Sequence, residues 1–171
     1  AEAIGVAGTD ARLLRAVQKD ERLGYVGEVA GVNTTLIESL LGDGLVPVIA
    51  PIAMGDDGHT YNVNADTVAA AIAGALDAHK LVYLTDVEGV YEDAGDPSTL
   101  ITRMDRDRLR GLLETMSGGM LPKLTSVAAA LDQGVRRAHI LDGRVQHVVL
   151  LEMFTREGVG TMMTQPGDDR P

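Results

Sequence analysis

Cysteine and tryptophan are both absent from this 171-residue sequence, and aromatic residues make up only 3% of it. Without cysteine there is neither a disulfide framework nor a thiolate metal site. No apolar run is long enough to span a bilayer or to act as a signal sequence, so the reading is a soluble, cytoplasmic protein with no membrane partner. Basic runs and aromatic stacking clusters are missing as well. Fifteen Lys and Arg against twenty-five Asp and Glu give a net charge of −10, which argues against nucleic acid as a partner. P-loop and dinucleotide-binding patterns do not occur, and no serine has the setting of a nucleophile elbow. His59, His79, His139 and His147 show no metal-ligand spacing, so no protein-held metal is expected.

What is present is aliphatic. Hydrophobic residues make up 45% of the chain, mostly Val, Leu, Ile, Ala and Met, a composition suited to helices packed on a buried sheet. Short strands are expected at Ala3–Ala7, Arg12–Val17 and Gly24–Val32, joined by hairpin-like turns. The run GVNTTLIESLLGDG reads as a helix capped by Asn33 or Thr34, with Leu36, Leu40 and Leu41 as its apolar stripe and Gly42 or Gly44 as its end. Val46–Ile52 and Lys80–Thr85 read as strands buried on both faces. Between them Val68, Ile72, Ala75 and Leu76 define a helix from Asp66 to Ala78. That order implies a right-handed crossover and a parallel pair. A surface helix follows at Asp105–Thr115, then helices at Met120–Gln133 and Val145–Phe154, with strands at Arg137–Leu141 and Gly160–Met163. The tail from Thr164 reads as frayed. The fold class is α/β, a three-layer α/β/α sandwich with a largely parallel central sheet, and such sheets bind ligands beyond the carboxyl ends of their strands.

Three motifs stand at such places. In TYNVNAD, Asn62, Asn64 and Asp66 alternate toward one side at a helix mouth, where Asp66 also reads as an N-cap. TDVEGVY, Thr85–Tyr91, follows the second buried strand as a turn, with Gly89 in a conformation that needs glycine. In SGGMLPK, Gly118 and Gly119 let the backbone approach a ligand and Pro122 suits a first helical turn. Lys123 sits where the helix dipole disfavours a cation by about 0.3–1 kcal/mol, a cost that a bound phosphate would reverse. Asp56, Asp57 and Gly58 read as a turn, and Asp105 and Asp107 as a solvated helix face.

Taken in order, VPVIAPI, YNVNAD, KLVYLTDVEGVY, SGGMLPK and AHILDGRVQHVVLLEMFT resemble the amino-acid kinase family, in the pattern of its N-acetylglutamate-phosphorylating branch. The resemblance covers nearly the whole chain and implies ATP, with Mg²⁺ bound to the nucleotide, and N-acetyl-L-glutamate as the small-molecule substrate. By resemblance, Asn62 matches the asparagine that binds the acetylamino acid, with Asn64 beside it. Asp66 matches the aspartate that orients the catalytic lysines, and Lys123 a lysine that stabilises the transferring phosphoryl group. Asp86, Val87, Glu88, Gly89, Val90 and Tyr91, with Thr115, Met116, Ser117 and Met120, match segments that hold ATP. His139, Glu152 and Gly158 match an allosteric site for L-arginine; read from the residues alone, His139 merely ends a strand. The family's N-terminal strand, glycine-rich loop and second lysine have no match. The expectation is therefore a C-terminal portion, with residues 1–78 the remainder of a substrate lobe, 79–171 a nucleotide lobe, and the complete protein a homo-oligomer. Two other readings are a non-catalytic nucleotide- or arginine-binding module and a kinase for a related substrate such as acetylaminoadipate.

Overall fold

A computed structural model describes residues 1–93, 95–154 and 159–168. The chain divides into two compact units, Ala1–Leu76 and Asp77–Pro171.

The first unit contains strands β1 (Glu2–Ala7), β2 (Leu14–Gln18) and β3 (Val26–Val32), helix α1 (Thr35–Gly42), strands β4 (Leu45–Ala50), β5 (Ile52–Gly55) and β6 (Thr60–Val63), and helix α2 (Ala65–Ala75). β2, β3, β6 and β5 close into a small barrel, while β1 and β4 form a separate parallel pair. Leu13, Leu14, Ala16, Ala53, Tyr61 and Val63 supply the core, completed by Ile37 of α1 and Val68 of α2. α1 has Thr34 at its N-cap position, without a side-chain cap hydrogen bond, and the Asn33 side-chain oxygen accepts from the Thr35 amide and hydroxyl. Its stripe is different: Ile37 is the buried residue and Leu41 is exposed.

The expected strand Val46–Ile52 is two strands, because Pro51 has no N–H to give a ladder. β4 is not buried on both faces either. Among the described residues it pairs with β1 alone and packs against α1, with Val46 and Val48 at 47% and 59% exposure.

The second unit holds β7 (Lys80–Thr85), β8 (Val90–Tyr91), β9 (Leu100–Ile101), β10 (Arg103–Asp105), α3 (Arg106–Leu113), α4 (Met120–Asp132), β11 (Arg137–Asp142), α5 (Val148–Phe154) and β12 (Thr161–Thr164). Its sheet runs β10-β12-β11-β7, parallel at both outer ladders and antiparallel between β11 and β12. Within its own unit each of the two expected strands has a parallel partner, β4 on β1 and β7 on β11. β11 is buried along its whole length, as a strand is when it has a neighbour on each edge and helices on its faces. α4 covers it with Leu124, Val127, Ala130 and Leu131, all essentially inaccessible.

Two further readings change. Asp105 is the N-cap of α3, accepting from the Arg108 amide at 2.8 Å, and is not part of a merely solvated face. The tail after β12 is fastened rather than frayed through Asp168. The Gln165 amide donates to the carbonyls of Leu131 and Val135, and the Asp168 carboxylate lies 3.5 Å from Arg137. No helix is long and apolar enough to cross a membrane among the described residues.

Candidate functional site

The residues singled out in the sequence fall in both units, and each group is built within its own unit. In the first, β6 alternates as its sequence dictates: Tyr61 and Val63 point into the barrel core, and Asn62 and Asn64 are exposed. The alternation stops there, because Asp66 is already helical. Asn64 is the N-cap of α2, accepting from the Thr67 amide at 3.1 Å, and this corrects the capping role expected of Asp66. Asp66 instead occupies the first turn, where the helix dipole favours a carboxylate. The hairpin before β6 is fixed by Asp57, which accepts from the His59 amide and the Tyr61 hydroxyl. Those hydrogen bonds hold its carboxyl below the usual range, that from Tyr61 most strongly.

In the second unit Asp86–Tyr91 follows the carboxyl end of β7, and Lys123 reaches the face of β7 that carries Tyr83. The register pairs Tyr83 with Ile140 and Thr85 with Asp142. Because alternate residues share a face, these four lie on one side of the sheet. Lys123, in the first full turn of α4, lies on that side, its Nζ 4.9 Å from the centroid of the Tyr83 ring. No side chain caps α4: Gly119 is its N-cap and Gly118 takes a left-handed φ of 86°. The amides of that first turn are thus presented by glycines rather than covered by a capping group.

The segment Asp86–Tyr91 leaves β7 and becomes β8. Thr161 anchors it: its buried hydroxyl accepts from the Val90 amide at 2.8 Å and donates to the Ile101 carbonyl at 2.6 Å. Gly89 has no unusual φ, contrary to expectation; it is required by proximity, since a Cβ there would lie 2.5 Å from Thr161 Oγ1. The Tyr91 hydroxyl donates to Glu88. Burial, then that hydrogen bond, moves the Tyr91 phenol upward. Thr115 closes the end of α3, its hydroxyl donating to the Leu112 carbonyl, and the Met116 amide donates to the same oxygen. Thr115 also edges a pocket of about 400 Å³ lined by Glu92, Ile101, Arg108, Gly111 and Leu112, with Arg108 and Glu92 ion-paired at its rim. Sequence reading missed this pocket because its walls come from three separated segments.

A second omission is Asp142–Arg144. Asp142 accepts from the Arg144 amide, Nε and Nη2 at 2.9, 2.9 and 2.8 Å. The Asp-Gly-Arg run, placed after a strand, was its available signal.

The other sequence-derived cluster is buried. His139, 1% exposed, lies with Nδ1 2.6 Å from Glu152 Oε1, and Glu152 Oε2 accepts from the Val159 amide at 2.7 Å. Burial holds the His139 imidazole below its ordinary pKa; Glu152 opposes that shift, while Lys80 and Arg137 add to it. Gly158 lies outside the described residues.

Comparison with known proteins gives these groups a context. The chain is 52% identical over 166 residues to the acetylglutamate kinase of Caldanaerobacter subterraneus subsp. tengcongensis, covering 94% of this chain and 55% of that protein. It is 50% identical to the acetylglutamate kinase of Thermosynechococcus vestitus, covering 95% and 56%. It thus spans about half the length of the curated relatives it matches. Among solved structures, the N-acetylglutamate synthase of Neisseria gonorrhoeae, complexed with coenzyme A and N-acetyl-glutamate, superposes with a TM-score of 0.83 at 28% identity, over 96% of this chain and 38% of that one. Giardia carbamate kinase shares the fold, with a TM-score of 0.72 at 11% identity over 96% of this chain and 63% of that one. The profile that matches residues 1–142 is that of the amino acid kinase family, and this chain, with its α/β fold, belongs to that family.

Proposed function

We propose that this chain carries part of an ATP-dependent N-acetyl-L-glutamate kinase of arginine biosynthesis. A side-chain carboxylate oxygen of the substrate attacks the γ-phosphorus of ATP. The bond between that phosphorus and the β–γ bridging oxygen breaks, leaving ADP and an acyl phosphate. Such a transfer asks the protein mainly for positioning and charge neutralisation. The observation that carries the reading is the corner where Lys123, the uncapped first turn of α4 and the carboxyl ends of β7 and β11 meet. About half-identity to acetylglutamate kinases over nearly the whole chain supports the choice of substrate.

In this reading residues 79–171 are the nucleotide lobe. Asp86–Tyr91 with Thr115, Met116, Ser117 and Met120 hold ATP, and Lys123 meets the transferring phosphoryl group. Residues 1–78 belong to the substrate lobe, with Asn62 facing the acetylamino acid, Asn64 fixing the helix that carries Asp66, and Asp66 as the second catalytic residue. Among the described residues no three His, Asp or Glu gather as a metal cage, so the Mg²⁺ that travels with ATP would be held chiefly by phosphate oxygens. His139 and Glu152 would face an L-arginine effector, a carboxylate being the natural partner of a guanidinium. A synthase structure with TM-score 0.80 to this chain is complexed with coenzyme A and L-arginine, which supports that part. A cytoplasmic homo-oligomer completes the reading.

The test is a hydroxylamine-trapped assay with MgATP and N-acetyl-L-glutamate. Acyl hydroxamate should form and vanish in Lys123→Ala. ATP or arginine binding without turnover would make the chain a binding module, and product from acetylaminoadipate alone would change the substrate.

A further inference from the structure

We infer that Arg144 is a nucleotide-binding residue, a second cation that meets the phosphates of ATP at the corner occupied by Lys123. The inference rests on the nucleotide reading above and adds to it a side chain outside every segment assigned there.

The loop that carries Arg144 is fixed in place. The Gly143 amide donates to the Thr85 carbonyl at 2.8 Å, tying the exit of β11 to the exit of β7. A Cβ at Gly143 would stand 3.3 Å from the Leu84 Cβ, so the loop lies close against β7. Asp142, on the same sheet face as Thr85 and Tyr83, then grips Arg144 through one backbone and two side-chain hydrogen bonds. The Asp142 side chain is only 10% exposed and the Arg144 side chain 68% exposed. One edge of the guanidinium is thus committed to Asp142, while Nη1 has no partner among the described residues. An arginine held on one edge by a fixed carboxylate has lost part of its rotamer freedom before any ligand arrives, and its remaining donors suit an anionic oxygen.

Charge balance gives that donor a purpose. Asp86 and Glu88, in the segment leaving β7, add to the field of Asp142 on the guanidinium. Three carboxylates at the mouth of a site would repel a polyphosphate, and the chain as a whole carries −10, so local cations are needed. Lys123 stands over Tyr83. Tyr83 and Thr85 are two residues apart on β7, about 6.6 Å along the strand, and Thr85 is the register partner of Asp142. Lys123 and Arg144 therefore flank one end of one sheet face.

The experiment is calorimetric titration of the whole chain with MgATP and, separately, with adenosine. Wild type should bind MgATP. Arg144→Gln, which is shorter and uncharged but keeps a side-chain amide donor, should weaken MgATP about tenfold or more and leave adenosine unchanged. Arg144→Lys should recover part of the loss. Far-ultraviolet circular dichroism should match wild type in both variants, with a lower melting temperature in Arg144→Gln from loss of the charge that faces Asp142. Equal MgATP affinity in wild type and Arg144→Gln overturns the inference while leaving the nucleotide reading intact, and so does an equal loss of MgATP and adenosine binding. Failure of wild type itself to bind MgATP overturns both.

Discussion

β4 and β11 make an instructive contrast. Both have six residues, and both are parallel to their principal partner. β4 reads LVPVIA and is wholly apolar, yet every second side chain up to Val48 is exposed; β11 reads RAHILD, carries three polar residues, and is buried throughout. Hydrophobicity says what a strand tolerates, and its neighbours decide what it receives. Among the described residues β4 has β1 as its ladder partner and α1 as the helix packed chiefly against it. β11 has ladders on both edges, α4 and α5 packed against it, and a specific answer for each polar group: Glu152 for His139, Asp168 for Arg137 and Arg144 for Asp142.

The largest effect should therefore come from β11. His139→Ala removes one member of a buried pair and leaves Glu152 with the Val159 amide as its partner among the described residues. Urea unfolding should show a loss of about 3–5 kcal/mol. A loss below about 1 kcal/mol would mean that the pair is not the fastening that joins β11 to α5.

The same histidine sets a pH dependence. Burial, the dominant influence, lowers its folded-state pKa, so the unfolded chain takes up the proton first as pH falls. Stability from this group is complete above its ordinary pKa of about 6.5 and is lost as pH drops through that value toward the folded one. Glu152 works against the shift, and Lys80 and Arg137 with it. Melting temperature should fall between pH 7.5 and 5.5, and the fall should be shallower in His139→Gln.

Next in size is Gly89→Ala. The new methyl would meet Thr161 Oγ1 at 2.5 Å and must push apart the hydroxyl that ties β8 and β9 to β12. A cost of about 1–3 kcal/mol is expected, together with weaker MgATP binding, because the displaced segment is the one proposed to hold the nucleotide.

In the first unit Asn64→Ala should cost about 1 kcal/mol by removing the cap of α2, whereas Asp66→Asn should cost less, since it is not the cap. Smallest of all, Val48→Ala on the exposed face of β4 should change stability by no more than about 0.5 kcal/mol. A loss there as large as that from a core residue would show that something covers β4 in solution.

The contrast also explains what the sequence could and could not reveal. Arg137–Leu141 and Met120–Gln133 were legible because local pattern and tertiary burial agree in them, whereas Lys80–Thr85 is the expected strand but is not buried on both faces, since Leu84 is 54% exposed. β4 was misread as doubly buried because an apolar run cannot report how many neighbours it has. The cap of α2 was misplaced by two residues because Asn and Asp both suit an N-cap, and only the backbone tells which one is still extended. Gly89 was recognised as special for the wrong reason: its constraint is Thr161, seventy-two positions away. Lys123 stood out through its unfavourable place on a helix. Arg144 did not, because its meaning depends on Thr85 and Tyr83 on a strand far earlier in the chain.

The central claim, a nucleotide seated at the carboxyl ends of β7 and β11, is tested most directly by amide hydrogen exchange with and without MgATP. The account predicts slower exchange in Asp86–Tyr91 and in Ser117–Leu121, with the effect weakened in Lys123→Ala. Unchanged exchange in both segments under saturating MgATP, or protection confined to residues 1–76, would contradict it.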